Sequence, residues 1–560
     1  MNELPASIIS QRLREGDRAA AFIPELRGNL GLPRGERELR EWHALIDLLL
    51  SGAVAPRKVF LEIDELYDPV KGDWSQALRS PGIQECRLMG YRSIFERAIG
   101  REKEVLGDGK PDWEIRLALS LANSSAHKLV LSSWFLTQGM FMAFSQALRF
   151  NRTLQHLEVN LYRVTETAWL SSILHCNSTL HTLVLDNWRS SFLEPIASSL
   201  PNNTTLRHLG LMCRMLDDPS RTEKEVLFFN ALGRNRGLCS FAHRGHNLAR
   251  DSYQALADAL ATNPTLVDVD LRFTFSLEFQ IVVERGLLVS NNIVGLTILN
   301  GPFELQPELL ARLVREKPIR RLDLHHRMNM PLNMPFLSTL ATYSIVELKF
   351  HGAGVEPTWR ALAHVLKHNT SLRNLLVSFS FVENTTAFLA TFAEALAVNQ
   401  GLRHFFVASL ASIKATDACL VRAVAKHPFL EEFDVKGIHC TVELAEMVKT
   451  HPSLTTIGCY IDSVADAQAL IAAAKANRRL VKVTDHWGRR SSFPDCDLRK
   501  ATLHVLHSYL EMNRHGRHKL LIEHPFLLAD LMGSLIDFRT RINLVMENPE
   551  PLIQAIHNRH

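Results

Sequence analysis

Catalytic and ligand-holding chemistry needs particular side chains at particular spacings, and this 560-residue chain offers few of them. Gly109 and Lys110 give the end of a phosphate-binding loop, but the upstream glycine is missing. Pro111 stands where such a loop needs Ser or Thr to open a helix. No His-Glu-x-x-His zinc helix and no Gly-x-Ser-x-Gly nucleophile turn occurs. His504 and His507, like His515 and His518, lie three residues apart, as two ligands on one helix face do. Neither pair has a nearby Cys or a clear third donor, so no metal and no cofactor is expected. The eight cysteines are too scattered for a Cys-x-x-Cys pair or a disulfide framework and read as reduced, mostly packed thiols.

Bulk properties narrow the class further. The formal net charge is only +4 and basic residues form no dense run, so nucleic acid and membrane surfaces are not expected partners. The opening MNELPASIISQRLREGD turns charged before an apolar segment develops, and no stretch approaches the roughly 18 apolar residues of a membrane span. The expected location is cytoplasmic. At this length the chain must be several domains or an open repeat array.

A repeat emerges on self-comparison. Asn, any residue, a small residue and Leu recur as NRTL at 151, NSTL at 177, NPTL at 263, NTSL at 369 and NQGL at 399. With the Leu as anchor, the series is Ala126, Leu154, Leu180, Leu206, Leu238, Leu266, Ile293, Ile319, Ile345, Leu372, Leu402, Leu430, Leu454 and Leu480, spaced by 24 to 32 residues. Apolar residues at anchor+3 and anchor+5 alternate with variable ones, the period of a short strand with one buried face. A helical stretch precedes each anchor, with a Leu six residues ahead in most repeats, from Leu148 to Leu396. The Asn at anchor−3 follows that helix, where a left-handed residue is expected.

About fourteen repeats of about 27 residues, each one strand and one helix, predict an α/β solenoid. Parallel strands line its concave face and helices its convex face. The pattern over residues 126–487 resembles the ribonuclease-inhibitor-like class of leucine-rich repeats, which implies a horseshoe. That class carries Asn or Cys at anchor+8, where the side chain bonds neighbouring loops. Here the position reads Trp134, Tyr162, Trp188, Arg214 and His246, so that asparagine ladder is expected to be absent. Residues 1–55 read as an N-terminal helical cap, 56–125 as degenerate repeats with strands near Leu61 and Cys86 or a cap extension, and 488–560 as a C-terminal helical cap.

Side chains at anchor+2, +4 and +6 face the open side of such a sheet, and equivalent residues stack about 4.8 Å apart. Two columns are candidate partner-binding surfaces. The anchor+8 column of Trp134, Tyr162, Trp188, Arg214 and His246 is rich in interface-forming types, or else its rings fold under and pack the loops. The middle repeats concentrate Arg244, Arg272, Arg321, His325, Arg327, Lys349 and His351, which suits an acidic surface on a protein partner. Asp268, Asp270, Asp323 and Glu347 are interleaved with them, so a balanced solvated face is the alternative.

The function expected is a non-enzymatic protein-binding scaffold. Arrays of this type without a secretory signal are similar to effectors of bacterial plant pathogens, which implies secretion into a host cell by a non-Sec route. A ubiquitin-ligase component is the alternative. Cys496, followed by Asp497, faintly resembles the catalytic segment of bacterial leucine-rich repeat ubiquitin ligases, whose Asp stands two residues after the Cys. Leu4, Pro5, Ile8, Ile9, Leu13 and Asp17 loosely resemble an F-box.

Overall fold

The computed structural model describes residues 25–29, 58–63, 85–90, 126–132, 138–161, 164, 167–212, 221–245, 248–273, 278–300, 307–326, 334–409, 418–461, 463–485, 506, 509, 510, 513 and 514. The chain divides into two compact units, Met1–Ile293 and Val294–His560. Each is an α/β leucine-rich repeat solenoid in which every described strand is parallel to its sequence neighbour.

In the first unit the strands are β1 (Glu25–Asn29), β2 (Lys58–Ile63), β3 (Glu85–Gly90), β4 (Lys128–Ser132), β5 (His156–Asn160), β6 (Thr182–Asp186), β7 (His208–Met212), β8 (Ser240–Gly245) and β9 (Asp268–Phe273). β1 is a strand paired with β2, where a helical cap was expected; with Leu26 its one apolar side chain, a charged, glycine-containing segment gave no strand signal. The second unit carries β10 (Gly295–Asn300), β11 (Arg321–His326), β12 (Glu347–Gly354), β13 (Asn374–Val382), β14 (His404–Ser409), β15 (Glu432–His439), β16 (Thr456–Tyr460) and β17 (Lys482–Asp485). No described helix is long and apolar enough to cross a membrane.

The repeat's apolar frame is the core. All fourteen anchors are at most 4% exposed, and so are the leucines six residues ahead, from Leu148 to Leu396. On β5 and β9 burial alternates strictly, with Leu157, Val159, Val269 and Leu271 inward. The helices pack side by side, as Arg221–Arg234 does against Arg250–Thr262.

The asparagine at anchor−3 does more than end a helix. Asn263 shows the pattern: its Oδ1 accepts from the backbone N–H of Thr265 at 2.9 Å and of Leu266 at 3.0 Å. Its Nδ2 donates backwards to Leu232 O at 2.7 Å and Asn235 O at 3.1 Å, in the preceding repeat. Asn177, Asn235, Asn369 and Asn399 repeat both halves of this arrangement. A different ladder therefore exists, at anchor−3 rather than at anchor+8, and its role was not read from the sequence. The asparagines are extended rather than left-handed, Asn263 having φ −75° and ψ 117°.

The same rung is filled by His451, whose Nδ1 accepts from Leu454 N at 3.1 Å while Nε2 lies 3.1 Å from Val424 O. A neutral imidazole with its proton on Nε2 reproduces the amide's acceptor and donor. Asn513 continues the series beyond the last strand, donating to Ala474 O, Asn477 O and Leu480 O. Three consecutive rungs, Ser290, Glu316 and Thr342, lack the amide, and their repeats are those with Ile anchors.

Losing a buried group that satisfies four backbone partners should cost about 3 kcal/mol. Asn263→Ala is expected to lower the urea midpoint accordingly, whereas Asn292→Ala, which removes one exposed hydrogen bond to Pro264 O, should change it by under about 0.5 kcal/mol. Equal effects would remove the ladder's special role.

Candidate functional site

Because neighbouring strands pair in register, exposed residues fall into columns. In the first unit Arg244 on β8 lies opposite Arg272 on β9. Both guanidinium groups converge on Asp270, two residues before Arg272 on the same face. Arg244 Nη2 and Nε reach Oδ2 at 2.6 and 2.9 Å, and Arg272 Nε reaches Oδ1 at 2.9 Å. Each carboxylate oxygen thus receives its own cation, and Asp270 retains 17% exposure. Deeper along the face, His208 Nδ1 lies 2.8 Å from Ser240 Oγ. Burial, then the neighbouring His156, pushes the His208 pKa below its ordinary value.

The second unit repeats the theme with different chemistry. Lys349 Nζ pairs with Glu347 at 2.7 Å on β12. His325 and His351 are register partners on β11 and β12, and their rings stack 4.1 Å apart at 7°. Both Nε2 atoms approach the same oxygen of Asp323, at 3.2 and 3.4 Å. Arg321 opens the same strand and is exposed.

The structure therefore joins Arg244 to Arg272 and His325 to His351, with Lys349 beside the latter pair. The formal charges of Arg244 and Arg272 cancel against Asp268 and Asp270, and those of Arg321 and Lys349 against Asp323 and Glu347. The surface is thus charge-alternating, the alternative reading of this patch: Asp270 reaches Arg272 on its own strand and Arg244 on the neighbouring one, and Glu347 reaches Lys349 two residues on. The functional residues missing from the expected set are those carboxylates, Asp270 and Asp323, which organise their clusters. Both stand at anchor+4 with a basic residue at anchor+6, and Asp323 also has one at anchor+2.

The aromatic column resolves at one position. Trp188 is 2% exposed, and its ring meets His243 edge-on at 6.0 Å and 80°. Its ring packs under the loop and cannot be contact surface, which corrects its assignment as a binding residue. Trp134, Tyr162, Arg214, His246 and Arg327 lie outside the described residues, as does Cys496. His243 itself is a core residue on β8, surrounded by Trp188, Phe229, Phe241 and Phe273. Desolvation, reinforced by Arg221, holds its pKa at about 3.

No family model matches this chain, and no curated protein does. Solved structures similar to it include the yeast Rad7–Elc1 complex, at 12% identity and TM-score 0.32 over 82% of this chain and 88% of the other. TLR13 with ssRNA13 matches at 11% identity and TM-score 0.28, over 77% of this chain and 56% of that one. The plant peptide hormone receptor RGFR1 with RGF2 matches at 10% and 0.23, over 76% and 62%.

A buried neutral histidine makes stability pH-dependent. Below pH 6.5 the unfolded chain takes up a proton at His243 that the folded chain refuses until about pH 3, so stability falls as pH drops through this window. His427 and His451, also lowered chiefly by burial, act in the same direction. By pH 5 the His243 contribution should reach about 2 kcal/mol. Urea unfolding between pH 7 and 5 measures it, and His243→Phe should flatten the dependence; an unchanged slope would contradict the assignment.

Proposed function

We propose that this chain is a non-enzymatic protein-binding scaffold that engages its partner through the exposed face of its parallel sheet. The observation that carries this reading is the asymmetry of the strands. Side chains at anchor+3 and +5 saturate a core with the helices, while no described element covers those at anchor+2, +4 and +6, which stay half-exposed on β5, β9, β12 and β13.

The chemistry of those rows supports the same reading. Arg244 and Arg272 are fixed by one carboxylate before any partner arrives, so ordering them on binding costs little. Arginine held this way is a typical anchor of interfaces. A surface of alternating charge selects a partner by register, through complementary pairs at strand spacing, rather than by long-range attraction to a uniformly acidic one.

A photo-crosslinking residue placed at Arg321 or Thr182, on the sheet face, is compared with one at Asp258 or Glu394, on exposed helix positions. In cell lysate the sheet positions should yield a discrete protein adduct that Arg244→Glu or Lys349→Glu weakens at least tenfold. Adducts from the helix positions alone, or equal labelling at all four, would contradict the proposal.

A further inference from the structure

The Asp323, His325 and His351 cluster stands apart from the other charged groups because it joins two imidazoles and one carboxylate. It is the one group of three metal-ligating side chains found among the described residues, with the ligand atoms all within 4.8 Å of one another. We propose that it binds a divalent transition-metal ion of the zinc class. This goes beyond the protein-binding reading and does not depend on it.

Three observations carry the inference. The first is the donor set: neutral imidazole nitrogens with a carboxylate oxygen suit zinc and its borderline neighbours, and hard cations such as calcium prefer oxygen alone. The second is distance. Zinc held tetrahedrally by bonds of about 2.1 Å places its ligand atoms about 3.4 Å apart. Asp323 Oδ1 stands 3.2 Å from His325 Nε2 and 3.4 Å from His351 Nε2, so the ligand atoms are already gathered, and the stacked rings need to turn out of their parallel planes to aim both Nε2 lone pairs at one ion. The third is the scaffold. Register pairing of β11 with β12 sets the two histidines side by side, and the alternation of β11 returns Asp323 to the same face. The ligands thus stand on hydrogen-bonded strands rather than loops, which favours precise placement.

Access and charge are consistent with this. Asp323 and His325 are 17% and 19% exposed, while His351 at 33% leaves an approach from solvent. The ammonium group of Lys349, the register partner of Asp323, is drawn to Glu347 at 2.7 Å. Three protein ligands leave the fourth position toward the exposed face, to be filled by water or a donor from a bound molecule. Two imidazoles can also lie this close to one carboxylate as ion pairs without a metal, and the test below separates the two.

The untagged full chain, stripped with chelator, is titrated with zinc chloride at pH 7.5 and bound metal is counted after equilibrium dialysis. One equivalent is expected at micromolar free zinc. Asp323→Asn, which preserves shape, and His351→Ala should each weaken that equivalent at least tenfold, with circular dichroism unchanged. His368→Ala tests the competing pair His364 and His368, whose rings lie 4.4 Å apart on the exposed face of helix Glu356–His368, and should leave the equivalent intact. No bound zinc at micromolar concentration, retention of it in both Asp323→Asn and His351→Ala, or its loss in His368→Ala would overturn the proposal. Cobalt substitution adds a readout independent of stoichiometry, because a tetrahedral site gives visible absorption bands that Asp323→Asn should abolish.

Discussion

Through most of the described repeats, one side-chain amide is used twice to hold neighbouring repeats together. The asparagine at anchor−3 holds the turn into its own strand through two backbone N–H groups, and through Nδ2 it grips the carbonyls at the end of the preceding helix. Helix ends leave such carbonyls without partners inside the helix. Burying them without a donor would cost more than the amide's own desolvation. Where it is present, the buried ladder thus ties a repeat to the one before it at a fixed offset; across Ser290, Glu316 and Thr342 the strands keep their register through backbone pairing and the apolar core alone.

Alignment then creates chemistry that no single repeat contains. Arg244 and Arg272 meet on Asp270 only because β8 and β9 pair residue for residue. His325 and His351, 26 residues apart in sequence, stack for the same reason on β11 and β12. The exposed face is therefore a lattice whose rows are set by the core and the ladder and whose contents are free to vary. That division explains how the inner positions can be so uniformly leucine while the outer ones carry arginine, histidine and acids in close pairs.

Much of the fold was legible because the core period is strong: every anchor and the leucines ahead of the helices are buried. The ladder was legible in residue identity but not in role. Asn at a helix end has a familiar local explanation, and nothing local shows that its Nδ2 reaches back to the previous repeat. Trp188 illustrates a different limit, since a large aromatic residue beside a loop is equally suited to a rim and to a core. Its burial against His243 follows from a contact between repeats more than 50 residues apart. The charged columns and their interleaved acids were visible as composition, but which acid meets which cation was not, because pairing depends on which rotamers reach across to the neighbouring strand. β1 was missed outright for want of an apolar alternation.

The most direct test of the ladder's place in this account is amide hydrogen exchange at the anchors. The N–H groups of Leu206, Leu266 and Leu402 each donate to an asparagine side chain at the edge of a turn rather than to a strand partner. If the ladder joins the repeats into one cooperative structure, these amides exchange only with unfolding of the unit that holds them, as slowly as the central strand amides. Exchange at these three positions as fast as in exposed turns would show that the rungs open locally, and would contradict the claim that they hold the repeats in register.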